Sequence, residues 1–151
     1  MIHIGTDHAG FELKEKLKSY FAEIGYEVKD HGAFGYDAVD DYPDFIRPVA
    51  EAVAKDPDNE KGIVLGGSGQ GEAMVANRYR GVRAVVFYCP HFNETAQEII
   101  RLSREHNNAN VLSLGARFLD EETAKKAVKL WLDTAFQGEE RHVRRLKKID
   151  G

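Results

Sequence analysis

Hydrophobic and polar positions along the chain form short strand-like runs that alternate with longer segments of helical period. The runs are "MIHIGT", "YEVKD", "GIVLGG", "RAVVFY" and "NVLSLG", and each is short enough to predict a β-strand. Apolar residues three or four positions apart predict helices from Phe11 to Ile24, from about Asn93 to Glu105 and from about Glu121 to Phe136. A short helix is predicted to begin at Gly71 or Glu72, and another covers "EERHVRRLKKID" at the end of the sequence.

The segment "DYPDFIRPVAEAVAKD" also has the apolar period of a helix, but it contains a proline away from its start. Proline has no backbone N–H to donate and its ring crowds the preceding turn, so it is tolerated mainly in the first turn of a helix. We therefore expect Pro48 either to lie in the first turn or to kink the start of this helix.

Strands that alternate with helices at this spacing indicate a parallel sheet with helices on both faces. We predict an α/β doubly wound, Rossmann-like fold with five parallel strands and a C-terminal helix, in a single domain over residues 1–151. In such folds, ligands bind beyond the carboxyl ends of the strands. The candidate segments are therefore "TDHAGF", "GGSGQGE" and "GAR".

The composition is that of an ordinary globular protein, with 42% hydrophobic and 30% charged residues. No apolar run approaches the roughly 20 residues that span a membrane, and the first residues lack the basic and apolar regions of a secretory signal. We therefore expect a cytoplasmic protein. The single cysteine, Cys89, cannot form an internal disulfide, and the net charge of −4 disfavours a general nucleic-acid binder.

The stretch "GGSGQGEAMVANR" combines a glycine-rich turn with a carboxylate, Glu72, at the start of the following helix. The turn lacks the Lys-Ser/Thr of a P-loop, and its glycines are not spaced as G-x-G-x-x-G. One interpretation is tight backbone packing, with Glu72 favoured by the helix dipole. The other is that the turn amides bind an oxyanion that exists only during reaction, while Glu72 moves the proton whose loss creates it. That combination describes enolisation beside a carbonyl.

Other polar residues lie near the ends of predicted strands. Asp7 and His8 follow the first strand, where they either cap a turn or face a ligand. His106 and Asn107 precede the fifth strand, and we place them at the edge of the sheet as well. A lone histidine in such a loop is usually a surface or turn residue, so these positions gain weight only in combination.

The final helix is basic. Arg141 and Arg145 are four residues apart and share one helical face, with His142 adjacent. Two guanidinium groups on one face can bind a phosphate dianion, although such a helix is often only a solvated surface. The histidines are scattered, and no group of His, Cys, Asp and Glu has metal-site spacing, so we predict no metal.

Six motifs together resemble the ribose-5-phosphate isomerase B family, which includes galactose-6-phosphate isomerase subunits. They are "GTDHAGFELK", "DYPDF", "GGSGQGEAMVANR", "GVRAV", "SREHNNANVLSLGAR" and "GEERHVRRL", and they extend from the first strand to the last helix. The resemblance implies a cofactor-free aldose–ketose isomerase of phosphorylated sugars that works through a cis-enediolate. It also implies a homodimer, or a dimer of dimers, with active sites shared between subunits.

The resemblance also implies roles for individual residues. Glu72 matches the base in the glutamate-using branch of the family, and Ser68 matches a hydroxyl position that assists the base. The turn from Gly67 to Gly71, including Gly69, matches the amides that hold the enediolate, and His106 matches the residue that opens the sugar ring. Sugar-contacting positions are matched by Asp7, Tyr42 and Asn107, and phosphate-binding positions by His8, Arg117, Arg141, His142 and Arg145.

The chain departs from the family pattern at three places. Gly66 stands where many members carry a cysteine base, so the chemistry would rest on Glu72. "VDDYPDF" has one more acidic residue than the usual "VDYPDF". The segment "YCPHFNETAQEIIRLSREHNN" is longer than usual. Either it extends a surface helix, or His91, Phe92 and Asn93 reshape the sugar pocket.

The leading hypothesis is interconversion of D-ribose 5-phosphate and D-ribulose 5-phosphate, with Glu72 moving the proton between C1 and C2. The longer segment motivates an alternative, which is the same chemistry on a tetrose or hexose phosphate. A non-catalytic nucleotide- or flavin-binding module is a third hypothesis that rests on the glycine turn alone. Glu72 argues against this module, because a carboxylate repels the phosphate of such a ligand.

Overall fold

Five strands form one sheet in the computed structural model, which describes residues 1–151. The strands are β1 (Ile2–Thr6), β2 (Val28–Asp30), β3 (Lys61–Gly66), β4 (Ala84–Phe87) and β5 (Val111–Gly115). Their order across the sheet is β2-β1-β3-β5-β4, and every neighbouring pair is parallel. The predicted α/β doubly wound sheet is therefore confirmed.

Six helices connect and flank the strands. They are α1 (Phe11–Glu23), α2 (Tyr42–Lys55), α3 (Gln70–Ala76), α4 (Glu94–Glu105), α5 (Glu121–Asp133) and α6 (Glu140–Asp150). Two short 3₁₀ turns, at His8–Gly10 and Ala116–Phe118, follow β1 and β5. No helix is both long and apolar enough to cross a lipid bilayer.

Side-chain caps fix where two of the helices begin. Asn93 Oδ1 accepts a hydrogen bond from the Ala96 N–H at 3.0 Å at the start of α4, and Asp120 Oδ1 accepts one from the Thr123 N–H at 2.7 Å at the start of α5. Helix α5 ends earlier than predicted, because Thr134 adopts an extended conformation with φ −87° and ψ 117°.

The expectation for Pro48 is wrong, because this proline lies in the interior of α2. An interior proline costs about 3 kcal/mol in lost hydrogen bonding and steric conflict. Four aliphatic side chains of α2 are fully buried, and burial of a valine- or isoleucine-sized side chain contributes about 1.5–3 kcal/mol. Packing therefore outweighs the local penalty. The buried residues of α2 are Ile46, Val49, Ala50 and Val53.

The sheet separates two hydrophobic clusters. One cluster joins β-strand residues to α1, α4 and α5 through Leu17, Ile100 and Trp131, and all three side chains are buried. The other joins the opposite face of the sheet to α2 and α3. Side chains alternate across β3, so Leu65 belongs to the first cluster and Val64 to the second. Both faces are thus covered, as a parallel sheet requires.

The strand order reverses between β1 and β3. From β1 the chain leads to β2 on one side and returns as β3 on the other, with Thr6 paired to Leu65 near their carboxyl ends. Ligands of doubly wound folds bind at such a switch point, outside the carboxyl ends of the strands. The segments that begin with Asp7 and Gly66 meet there.

Candidate active site

The glycine-rich turn between β3 and α3 is anchored to β5 and to the residues after it. Gly69 has φ +77°, a left-handed conformation that favours glycine. Its carbonyl accepts a hydrogen bond from Ser113 Oγ at 2.6 Å, and the Gly67 carbonyl accepts one from the Arg117 N–H at 3.1 Å. These bonds hold the turn amides in place before any ligand arrives, which is what an oxyanion site needs.

Glu72 lies in the first turn of α3 and is only 4% exposed. Burial raises the pKa of its carboxyl group, a hydrogen bond from its own backbone N–H lowers it, and the nearby Asp7 carboxylate raises it further. The net pKa shift is upward. A carboxylate whose pKa is moved toward neutrality is better matched to proton transfer than an ordinary surface glutamate.

The Glu72 carboxylate occupies the space beside Gly66 that a side chain at position 66 would need. A Cβ atom built there would overlap both carboxylate oxygens. A residue other than glycine at this position would therefore push the Glu72 carboxylate away from its present location.

Two more predicted site residues pack directly on the turn. The Tyr42 hydroxyl lies over Gly71, at 2.6 Å from where a Cβ would stand, and the Arg117 guanidinium lies 3.1 Å from the corresponding point at Gly67. Ser68 Oγ accepts a hydrogen bond from the Gln70 N–H at 3.3 Å. The structure thus brings together nine predicted residues at one edge of the sheet: Asp7, His8, Tyr42, Gly67, Ser68, Gly69, Gly71, Glu72 and Arg117.

Asp7 and His8 form the rim next to β1 together with a residue that the sequence did not single out, Asp40. Asp7 Oδ1 accepts a hydrogen bond from the Ala9 N–H at 2.9 Å and so caps the 3₁₀ turn. Asp40 Oδ1 accepts from the His8 backbone N–H at 3.0 Å and lies 2.6 Å from His8 Nδ1. The additional acidic residue in "VDDYPDF" was the available signal, but a contact between residues so far apart in sequence is not visible in a motif.

Asp7, His8 and Asp40 are also the one group of three possible metal ligands whose atoms lie within 4.8 Å of one another. The 2.6 Å separation of His8 Nδ1 and Asp40 Oδ1 is that of a strong, charge-assisted hydrogen bond. A nitrogen that shares a proton with a carboxylate offers no lone pair to a metal. The arrangement therefore fits an ion pair better than a metal site.

A second cluster forms where the loop after α4 meets α6. The rings of His106 and His142 stack with centroids 4.1 Å apart and an interplanar angle of 16°. His142 is 4% exposed, and its Nε2 has no hydrogen-bond partner. Burial lowers the pKa of His142, and His106 and Arg141 lower it further. Arg141 and Arg145 are exposed on the same helix.

The two clusters lie at opposite edges of the sheet, which corrects the expected position of His106 and Asn107. Both residues precede β5, so they lie at its amino end, whereas Glu72 lies beyond the carboxyl end of β3. The five residues of β5 span roughly 16 Å. Within one chain, His142 and the arginines of its helix are therefore separated from Glu72 by about the length of a strand.

In the long segment after β4, Tyr88 lies near the glycine-rich turn, whereas the residues predicted to reshape the pocket were His91, Phe92 and Asn93. Phe92 packs edge-on against Phe87, with ring centroids 6.4 Å apart, and Asn93 caps α4. His91 is exposed. Instead, Tyr88 packs beside Gly115, next to the Ser68 carbonyl, and its ring lies 5.4 Å from that of Phe118. Tyr88 thus lies beside the glycine-rich turn with Phe118 against it, and the two residues are 45% and 55% exposed.

Comparison with known proteins finds similarity over nearly the whole chain. The model of the Ribose/Galactose Isomerase family matches residues 2–149. Ribose-5-phosphate isomerase B from Mycolicibacterium paratuberculosis is 41% identical over 145 residues, which cover 96% of this chain and 86% of that protein. Ribose-5-phosphate isomerase B from Escherichia coli is 39% identical over 148 residues, which cover 98% of this chain and 93% of the relative.

Solved structures show the same similarity. The crystal structure of ribose-5-phosphate isomerase B from Mycoplasma genitalium with bound ribulose-5-phosphate superposes with a TM-score of 0.91 at 38% identity, covering 99% of this chain and 93% of that chain. The enzyme from Thermotoga maritima superposes with a TM-score of 0.86 at 44% identity, covering 99% and 96% of the two chains. On the family match, the identities and the shared fold, the chain belongs to the ribose/galactose isomerase family.

Proposed function

We propose that this protein interconverts D-ribose 5-phosphate and D-ribulose 5-phosphate through a cis-enediolate, with Glu72 as the base. The observation that carries the proposal is a buried carboxylate of raised pKa beside a preformed turn of backbone amides. Relatives that match nearly the whole length of this chain are ribose-5-phosphate isomerases B, and one of them has been crystallised with bound ribulose-5-phosphate. Residues 1–151 would act as a single isomerase domain that needs no cofactor.

In the proposed reaction, Glu72 takes the proton from C2 of the open-chain aldose and the C2–H electron pair forms the enediolate double bond. The carbonyl oxygen at C1 gains negative charge, which the amides of the turn from Gly67 to Gly71 stabilise. Glu72 then returns the proton to C1, while the C2 hydroxyl proton is transferred to the oxygen on C1. Ser68 lies in the same turn and would assist this proton transfer.

The second cluster would complete the site from another copy of the chain. His106 would open the furanose ring, Asn107 would contact the sugar, and Arg141 and Arg145 would bind the phosphate together with His8 and Arg117. The separation of the two clusters across the sheet supports a homodimer, or a dimer of dimers, with sites shared between subunits. Because His142 is buried under His106, we propose that it supports that ring and reaches the phosphate only if the loop moves.

The test is ketose formation from D-ribose 5-phosphate by wild type and Glu72→Gln, with EDTA present. Glutamine keeps the shape of the side chain but cannot accept the proton, so we expect turnover to fall by roughly 10²–10⁴-fold. Glu122→Gln is the matched control, because it makes the same change at an exposed glutamate in the first turn of another helix, α5, and should leave turnover unchanged. Near-normal turnover by Glu72→Gln would remove Glu72 from the role of base.

The same chemistry on another phosphosugar is the second candidate, and the aromatic pair of Tyr88 and Phe118 favours it. Tyr88 lies beside Gly115 and the Ser68 carbonyl, and Phe118 packs against Tyr88, so a longer sugar bound at the turn would meet these exposed rings. A panel of tetrose, pentose and hexose phosphates decides between the candidates. A kcat/KM for ribose 5-phosphate far above the others would dismiss the alternative.

A further inference from the structure

The carboxylate of Asp40 fixes the ring of His8, and the proposed reaction gives Asp40 no role. We infer that Asp40 is a positioning residue, which holds His8 as an imidazolium with its Nε2–H directed at the phosphate of the substrate. This inference rests on the proposed function, because it specifies how one residue of the proposed phosphate site acquires its charge.

Asp40 contacts both the backbone and the side chain of His8. Asp40 Oδ1 accepts from the His8 backbone N–H at 3.0 Å and lies 2.6 Å from the ring Nδ1. The backbone contact identifies Oδ1 as an acceptor, so the ring contact assigns a proton to Nδ1. With both bonds made to one oxygen, the ring has little freedom to rotate, and the opposite nitrogen, Nε2, is left for a ligand.

The protonation state of His8 decides whether it attracts or repels a phosphate. A neutral ring whose proton is on Nδ1 presents a lone pair at Nε2, and a lone pair cannot bind a phosphate oxygen. Only the imidazolium carries a second N–H at Nε2. The Asp40 bond therefore has two effects: it excludes the tautomer in which Nε2 is the sole donor, and it favours the cation that makes Nε2 a donor as well.

The charges around His8 favour the cation. The hydrogen bond to Asp40 is the largest influence and raises the pKa of His8. Desolvation opposes it, the charges of Asp7 and Asp40 raise the pKa further, and the Arg117 guanidinium lowers it. The ring of Tyr36 also packs edge-on against that of His8, with centroids 6.1 Å apart. The net shift is upward, so His8 keeps its proton to a higher pH than a free histidine.

Asp40 also has a feature that fold stability alone does not explain. Its side chain is 9% exposed, and its second oxygen, Oδ2, is buried without a hydrogen-bond partner. A buried carboxylate oxygen without a partner costs free energy. His8 is the cation that Asp40 contacts, so the arrangement stabilises the charge of His8 at some expense to the fold.

The inference gives a defined pH dependence. The His8 pKa is raised, so the imidazolium is present below that pKa, and phosphate binding through His8 is lost as the pH rises through it. In Asp40→Asn the amide oxygen can still accept from Nδ1–H, but the negative charge is gone. The loss of phosphate binding should therefore begin at a lower pH in this variant.

The experiment is an NMR titration of His8 in wild type, Asp40→Asn and Asp41→Asn, each with and without inorganic phosphate. Asp41 is the matched control because it is the adjacent acidic residue, is exposed and makes no side-chain cap bond. We expect the His8 titration to move to lower pH in Asp40→Asn only. At a pH between the two measured His8 midpoints we expect the KM for ribose 5-phosphate to rise severalfold in that variant, while kcat changes little. The ratio of the KM values should return toward one as the pH is lowered.

Equal His8 titrations in all three proteins would overturn the inference, and so would a neutral His8 whose proton lies on Nε2. If Asp40→Asn does not fold, the nitrogen chemical shifts of wild type decide alone, because they report both the tautomer and the titration of His8. These NMR results do not depend on turnover. A wild type that fails to isomerise but shows the Asp40-dependent titration would remove the proposed function only, whereas normal turnover with an unchanged titration would remove this inference only.

Discussion

Glu72, the proposed base, carries a charge whose burial lowers the stability of the fold. Its carboxyl group is almost fully buried, and burial is the largest cause of its raised pKa. Glutamate at a helix start normally gains from the dipole, but here desolvation outweighs that gain. From the sequence alone the two effects could not be ranked, because the ranking depends on how deeply the side chain is buried.

The sign of this shift predicts the pH dependence of stability. Since the pKa of Glu72 is higher in the folded than in the unfolded protein, its stabilising contribution is present below the unfolded pKa and is lost as the pH rises through the folded one. Glu72→Gln should therefore melt at a higher temperature than wild type at about pH 8, with the difference shrinking toward about pH 4. Each kcal/mol corresponds to roughly 2–4 °C for a chain of this size.

Thermal unfolding at the two pH values measures this difference, and the turnover of wild type should rise with pH through the same pKa. A Glu72→Gln variant that is less stable than wild type at about pH 8 would contradict the prediction.

At the scale of elements, periodicity predicted the type and order of every strand and α-helix but not the two 3₁₀ turns, and the misses have local causes. Helix α5 was predicted to continue to Phe136 but ends at Asp133, where the backbone becomes extended. Pro48 was expected near a helix start because the steric penalty of proline can be read from the sequence, whereas the packing energy that outweighs it cannot. Strand order cannot be read from periodicity, since it depends on which strands pair across the core.

Helix α2 allows a matched test of the cost of proline. Pro48 lies inside the helix, whereas Pro43 lies in its first turn, where no intrahelical bond is lost. We expect Pro48→Ala to stabilise the protein by about 1–3 kcal/mol. Pro43→Ala should change stability by less than about 1 kcal/mol, as expected where proline is already compatible with the backbone.

Denaturant unfolding of both variants checks the prediction. Equal effects of the two substitutions would mean that the helix has adapted fully to its interior proline.

At the scale of the whole molecule, the separation of the two clusters is the main result that the motifs could not supply. Sequence resemblance identified both clusters, but a motif does not tell which edge of a sheet its residues occupy. That information comes from whether the residues precede or follow a strand: Asp7 follows β1, whereas His106 precedes β5. The partner of His8, Asp40, was missed because their contact joins residues 32 apart in sequence, which no motif spans.

A shared site predicts complementation between two inactive variants. Glu72→Gln and His106→Ala should each be nearly inactive as homodimers. In a mixed dimer, one of the two sites receives an intact Glu72 from one chain and an intact His106 from the other. Random mixing makes half of the dimers mixed, so about a quarter of the wild-type activity should return.

The measurement is the activity of the two variants after unfolding and refolding together, compared with each refolded alone. Wild type taken through the same cycle controls for losses during refolding. Activity no higher than the average of the separate variants would contradict a site shared between chains.

The contact between Gly66 and Glu72 has a consequence for the history of the family. The resemblance places a cysteine base at position 66 in many relatives, but here the Glu72 carboxylate fills the space that a side chain at 66 would occupy. A side chain at position 66 would therefore displace the Glu72 carboxylate from the place where it now lies. A cysteine gained at position 66 would then change the surroundings that raise the pKa of Glu72. The effect of a substitution at either position thus depends on the residue at the other, so the two positions form an epistatic pair.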